Sequence, residues 1–353
     1  MYDAFGQPPE LREVSPPVCP PDGVVVEVVA TGVCRSDWHA WQGHDPVDLP
    51  HIPGHELAGR VLQVGPEVRR FAVGQRVTVP FVCGCGVCAT CRSGNAQVCP
   101  EQTQPGFTGP GSFADRVAVH AADANLVTLP ESVDFRTAAS LGCRFATAFR
   151  ALTAHGRVRP QDWVAVYGCG GVGLSAVLIA AALGARVVAV DLSPAALARA
   201  AELGAVATVD SAVVDPVAAV REVTAGGAMV SMDALGSPAT AVASVRTLRR
   251  RGRHLQVGLL LGEAATPPLP MDLVIAHELE IYGSHGMAAH EYPAMLELIT
   301  AGTLQPGRLI GSVVGLAEAP AALMAMSGPA ESAGITVISV PELVEQSGQP
   351  NGR

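Results

Sequence analysis

The chain has 353 residues, 49% hydrophobic and 16% charged, with 38 glycines and 28 prolines. That is too apolar and too weakly charged for a disordered protein, and the length suits two domains at roughly 100–200 residues each. Thirty-two acidic against 23 basic residues give a net charge of -9, which argues against nucleic acid or an anionic membrane as partner. All the basic residues are arginine, so lysine Schiff-base chemistry and a Walker-type phosphate lysine are excluded.

The first residues, MYDAFGQPPELREV, lack a basic segment followed by an apolar one, so no secretory signal is expected. Val24–Ala30 and Arg76–Pro80 are strand-like runs between Gly and Pro turn signals, and Pro50–Gly65 reads as a turn followed by a strand. From about Leu141 the texture changes. Val-rich strands at 164–168, 186–191, 229–235 and 254–260 alternate with helical patterns such as Ser193–Leu203 and Ala239–Arg250. This alternation predicts βαβ units on a parallel sheet. Val172–Val190 is apolar, but Gly184 and Arg186 interrupt it, and it reads as a buried helix and strand instead of a membrane span. After about Tyr282 the character is mixed, with a last strand at 335–340 and a polar, frayed tail from Gln346.

Gly168-Cys169-Gly170-Gly171-Val172-Gly173 follows the first of the Val-rich strands and opens an Ala-rich helix, and the next strand ends in Asp191. That order predicts a dinucleotide site. Gly168 permits the tight turn, Gly170 and Gly171 let the backbone approach a pyrophosphate, and Gly173 lets the helix pack close to the sheet. The helix N-terminus supplies free N–H groups and positive dipole. Asp191 accepts from both adenosine ribose hydroxyls and repels a 2′-phosphate, which favours NAD over NADP without excluding the latter.

Nine cysteines in a chain of this length point to metal ligation in a reducing compartment, hence the cytoplasm. Cys85, Cys88, Cys91 and Cys99 pack four soft thiols into one short segment. Such a set closes a tetrahedral zinc site with no position left for substrate; unligated thiols or an iron–sulfur cluster are the alternatives. Cys83 lies outside the spacing. Cys34-Arg35-Ser36-Asp37-Trp38-His39, Gly54-His55-Glu56 and Gly142-Cys143 are far apart. No local spacing makes Cys34, His55 and Cys143 meet, and a lone buried cysteine is more often a small hydrophobe than a ligand.

CRSDWH, PGHELAG, the four-cysteine lobe and GCGGVG occur in this order, and together they resemble the zinc-dependent medium-chain alcohol dehydrogenases, in particular their bacterial branch. The resemblance covers essentially the whole chain. It implies a doubly wound Rossmann sheet (145–284, NAD-binding) inserted into a β-rich GroES-like catalytic domain (1–144 and 285–353). It also implies two zincs per subunit, one catalytic and one structural. Cys34, His55 and Cys143 would hold the catalytic zinc, leaving one position open to water or substrate. Glu56 would approach the metal transiently or from behind the ligands, and Asp37 would orient the zinc histidine.

By the same resemblance, zinc lowers the pKa of a bound alcohol and hydride passes to the nicotinamide. Ser36 would take the proton and His39 hand it to solvent; if His39 is only a surface residue, water carries the relay. Arg35 would pair with the pyrophosphate, Thr147 and Val172 bracket the nicotinamide, and Val257, Gly258 and Leu259 meet its carboxamide. Phe81, with Trp38 and Trp41, would wall the substrate pocket, although core packing explains the tryptophans nearly as well.

Three departures stand out. The Cys99–Cys143 segment is short, as in tetrameric bacterial relatives, favouring a homotetramer over a dimer. ESAGITVISV lacks the arginine that many relatives place beside its glycine. GSHGM at 283–287 is unusual, and His285 and Met287 could reach either cofactor or interface. Two other functions fit parts of the pattern. One is a same-fold reductase of an activated C=C or C=N bond; the other is a zinc- and nucleotide-binding protein without catalysis.

Overall fold

The computed structural model describes residues 1–328 and 334–341. The stretch preceding Gly334 in ESAGITVISV and the tail from Gln346 lie outside the described residues. Strands β1 (Val24–Val33), β2 (Glu56–Val64), β3 (Arg76–Thr78), β4 (Arg116–Val119) and β5 (Val127–Thr128) come first. They are followed by β6 (Trp163–Tyr167), β7 (Arg186–Asp191), β8 (Ala205–Asp210), β9 (Ala228–Asp233), β10 (Leu248–Gln256) and β11 (Glu280–Gly283). β12 (Ile310–Gly315) and β13 (Ile335–Ser339) close the set.

These strands form two sheets. One runs β12-β13-β1-β2-β3-β5, with β4 also on β1, and is mostly antiparallel. Val24, Val26 and Val28 alternate inward from β1 onto Leu57, Val61, Val77 and Val117, the buried core of this sheet. The other runs β11-β10-β9-β6-β7-β8, all parallel. It is a doubly wound Rossmann sheet, with its order reversing between β6 and β9. The segment that builds it is inserted between β5 and β12 of the first sheet.

β6 and β7 are apolar runs because helices cover both faces of the sheet. The helix Gly171–Ala182 is likewise buried along nearly its whole length. The segment Val172–Val190 is thus the buried helix and strand that its pattern predicts, and among the described residues no helix is long and apolar enough to cross a membrane.

The expected helix Ala239–Arg250 needs correction: the helix is Pro238–Arg246, and Leu248 already pairs with Ala228 in β10. Leu248 is fully buried and is worth more in the sheet than in another helical turn, and Arg251 then takes a left-handed φ of 62° at the strand's irregularity. β8, whose AVATVD is short and only half buried, carries too weak a pattern to be read from sequence.

Candidate metal and dinucleotide site

β1 ends at Val33 and delivers Cys34 to the N-terminus of the short helix Arg35–Trp41. Asp37, one turn in, is fully buried. Its Oδ2 accepts the Cys34 N–H at 2.9 Å, and its Oδ1 accepts the Gly54 N–H at 3.1 Å and the His55 Nδ1–H at 2.8 Å. One carboxylate therefore fixes both loops and sets the proton on Nδ1. The Nε2 of His55 is buried and has no hydrogen-bond partner among the described residues. It lies with the sulfurs of Cys34 and Cys143 in a group whose ligand atoms are all within 4.8 Å of one another.

Cys143 reaches this point from the π-helical turn Leu141–Phe145. An orphaned imidazole nitrogen facing two thiols is costly unless an electrophile takes its lone pair. The donor set, two sulfurs and one imidazole, suits zinc with one open position. The Cys34 thiol is held well below its ordinary pKa by a hydrogen bond from Cys143, against the effect of burial, with Arg144 and His55 adding positive charge.

The four lobe cysteines also converge within 4.8 Å. Backbone N–H groups of Cys88, Cys91 and Cys85 each point at a cysteine sulfur at 3.4 Å. Cys88 is pushed down to about 6, chiefly by the Cys91 N–H. Such N–H···S contacts favour thiolates, the form that binds metal.

The phosphate loop has the shape a pyrophosphate needs. Gly168 has φ 89°, and a Cβ on Gly173 would lie 1.7 Å from the Gly168 carbonyl oxygen. At Gly170 a Cβ would meet nothing within 4 Å among the described residues, which leaves the backbone open to a ligand there. The N-cap Gly170 has no side chain to cap the helix Gly171–Ala182, so among the described residues its first N–H groups are available. Asp191 ends β7, and its carboxylate accepts the Cys169 N–H at 2.6 Å and the Ser193 N–H at 2.8 Å. It therefore braces the loop from the carboxyl end of β7.

Thr147 is buried and Val172 half-buried, at the starts of neighbouring helices. Val257, Gly258 and Leu259 line a cleft of about 490 Å³ together with Gln97 and His285. Phe81 stands edge-on to both His55, at 6.1 Å, and His285, at 5.1 Å, linking that cleft to the metal set. Met287 is buried in the core instead. Ser36 and His39 share a helix face three residues apart; the Ser36 Oγ is 3.9 Å from the Cys34 sulfur, and His39 Nδ1 is 3.1 Å from His44 Nδ1.

Three expected site residues have protein partners of their own. Arg35 donates to the Met326 carbonyl and lies over the Trp38 ring. Trp38 donates to Ser327 at 2.8 Å. Trp41 is buried in the core of the first sheet, its indole on the Gln7 carbonyl, so its apolar bulk is spent on packing. Glu56 is fully buried and paired with Arg144. Two neighbours escaped the sequence reading: Phe107, edge-on to His55 at 5.2 Å, and Arg144. Phe107 sits in an irregular turn with no motif around it. Arg144 could have been found as the one charge in the apolar run SLGCRFATAF.

Residues 20–131 match the family model described as the alcohol dehydrogenase GroES-like domain, and residues 171–301 match that of the zinc-binding dehydrogenases. The chain is 35% identical to an alcohol dehydrogenase of Geobacillus stearothermophilus, over 80% of this chain and 83% of that enzyme. Among solved structures it resembles alcohol dehydrogenase TADH from Thermus sp. ATN1, with TM-score 0.87, 32% identity and coverage of 94% and 96% of the two chains. An NAD-dependent alcohol dehydrogenase gives TM-score 0.86 at 30% identity, covering 96% of this chain and 98% of that one.

Proposed function

The chain belongs to the zinc-dependent medium-chain alcohol dehydrogenase family, and from that premise we propose that the Cys34–His55–Cys143 set and the Gly168–Gly173 loop serve one active site. The enzyme interconverts an alcohol and an aldehyde or ketone by hydride transfer with NAD(H), and it is a zinc protein. Its relatives favour this reaction over reduction of an activated C=C or C=N bond, and over a binding role without turnover. The observation that carries the site assignment is the buried, partnerless Nε2 of His55 beside two thiols.

When bound, zinc supplies Lewis acidity to the alcohol oxygen and nicotinamide accepts hydride. The protein's own groups do the rest. Asp37 keeps the His55 ring oriented, Phe81 and His285 border the substrate side, and Thr147, Val172 and the 257–259 backbone hold the nicotinamide. Ser36 takes the hydroxyl proton and His39 passes it on, a role supported by their shared helix face. His44, hydrogen-bonded to His39, extends that path.

The His39 imidazole sits below its ordinary pKa, mainly through partial burial and then through His44 and Arg35. Its neutral, proton-accepting form therefore survives to lower pH, and alcohol oxidation falls only as pH drops through that lowered value. For His39→Gln we expect kcat to fall about tenfold or more and the acidic limb of the pH–rate profile to change shape. An unchanged profile would leave the relay to water.

For Asp191→Ala we expect the NAD-over-NADP preference in kcat/KM to drop by about tenfold or more. The N–H of buried Cys169 also loses its acceptor, which costs about 1–3 kcal/mol of stability and is read by thermal melting. An unchanged cofactor ratio would remove Asp191 from the ribose site.

The domain division at 1–144 with 285–353, and 145–284, is supported by the way the two sheets partition the chain. A cytoplasmic enzyme is supported by thiols grouped for metal. A homo-oligomer is supported by edge strand β11 and by exposed Ile281, Leu259, Met271 and Ile275 near it, and a tetramer over a dimer by the short Cys99–Cys143 segment. Light scattering on the purified protein tests the oligomer. Alcohol-dependent NADH formation, lost on zinc chelation and restored by zinc, tests the function.

A further inference from the structure

Arg144 follows Cys143 directly and is buried between the first sheet and the phosphate loop. Its backbone N–H and its Nε each donate to Glu56 Oε1 at 3.1 Å, and Nη2 donates to Oε2. Nη1 takes no part in this pairing. It lies 3.2 Å from where a Cβ on Gly171 would stand, and the Arg144 Cδ lies only 2.5 Å from that point. On the other side, a Cβ on Gly32 would lie 2.3 Å from Glu56 Oε2 and 3.0 Å from Arg144 Nη2. Two glycines on different elements thus clear room for one ion pair.

Among the described residues, the electrostatics at Gly171 are otherwise unfavourable. Gly171 opens a 12-residue helix, whose N-terminus carries about half a positive charge. Setting a guanidinium beside that end opposes like charges, and Glu56 offsets it only from the far edge of the fork. An anion at the helix start satisfies both at once. Arg35 is exposed and bonds the Met326 carbonyl, whereas Arg144 is buried against the loop itself.

We propose that Arg144 supplies the cation for the pyrophosphate of the dinucleotide and, by holding Glu56 with the same guanidinium, couples dinucleotide binding to the Cys34–His55–Cys143 metal set. The proposal rests on the reading of the protein as an NAD-dependent zinc enzyme. Coupling of this kind is reciprocal: whatever the dinucleotide does to metal retention, the metal does to dinucleotide affinity.

The test compares the wild-type zinc enzyme, Arg144→Lys and the double variant Arg144→Gln/Glu56→Gln, in which no buried carboxylate is stranded. Binding of NADH is followed by fluorescence and of ADP-ribose by calorimetry, zinc is counted by mass spectrometry, and zinc loss to a chelator is timed with and without ADP-ribose. The double variant should bind both ligands about tenfold or more weakly. Arg144→Lys, which keeps the charge, should fall between it and wild type. ADP-ribose should slow loss of the catalytic zinc in wild type and not in the double variant.

A double variant with two zincs and wild-type affinity for ADP-ribose overturns the inference and leaves a structural ion pair. Should the double variant not fold, Arg144→Lys decides: wild-type ADP-ribose affinity with no change in chelator protection overturns it equally. Wild type that binds neither NADH nor ADP-ribose would instead sink the functional reading itself.

Discussion

Cys34→Ser is expected to leave one zinc per subunit and to lower kcat about a thousandfold or more. Serine offers a hydroxyl that stays protonated where the cysteine is readily ionised, and its oxygen is a harder donor with shorter reach. With two donors left, Cys143 and His55, the site keeps too little affinity to hold the metal. Lewis-acid stabilisation worth several kcal/mol goes with it, and each 1.36 kcal/mol is about tenfold in rate.

The remaining structure should survive, because the Asp37 contacts that fix this region use the Cys34 backbone N–H and the His55 ring, not the Cys34 sulfur. The measurement is zinc per subunit together with alcohol-dependent NADH formation and a circular dichroism spectrum. Loss of one zinc and of turnover with an unchanged spectrum is the expected result. Two zincs and full activity would take Cys34 out of the ligand set.

Much of this is legible in the sequence, and the reason differs from part to part. β6 and β7 announce themselves because a strand covered on both faces must be continuously apolar, and the glycine run between strand and helix has few other uses. The four-cysteine lobe is local in sequence, so its spacing is its geometry. Cys34, His55 and Cys143 are not local: β1, β2 and a π-helical turn bring them together. Only the resemblance to a family joined them in advance.

Apolar identity misleads where it serves two ends. Trp41 looks like pocket wall and is core. Arg35 and Arg144 are equally charged, but burial and the partner left over for each nitrogen separate them, and neither is written in the sequence.

Cys88→Ser is expected to remove the other zinc and to cost stability while catalysis largely persists. The lobe has almost no core of its own: its helix Ala89–Arg92 buries no residue, and its 3-10 turn buries only Gln97. Its fold must come from the metal cross-link. Cys88 is also the acceptor of the Cys91 N–H that caps this helix, so the hydroxyl removes both a ligand and a well-placed anionic acceptor. Freeing a closed loop of this length returns about 3 kcal/mol of chain entropy to the unfolded state. For a chain of 353 residues that corresponds to a fall of about 4 °C in the melting midpoint.

The damage should stay local because the root of the lobe is tied down without metal. Asn125 accepts the Gly84 N–H at 2.9 Å and donates back to the Gly84 carbonyl at 2.8 Å. Gln97 and Val98 reach the cleft beside His285, so a looser lobe should raise KM for the alcohol more than it lowers kcat. Zinc counting, thermal melting and hydrogen exchange across residues 85–99 check this together. Retention of both zincs, with exchange unchanged, would mean that the four sulfurs do not hold a metal between them.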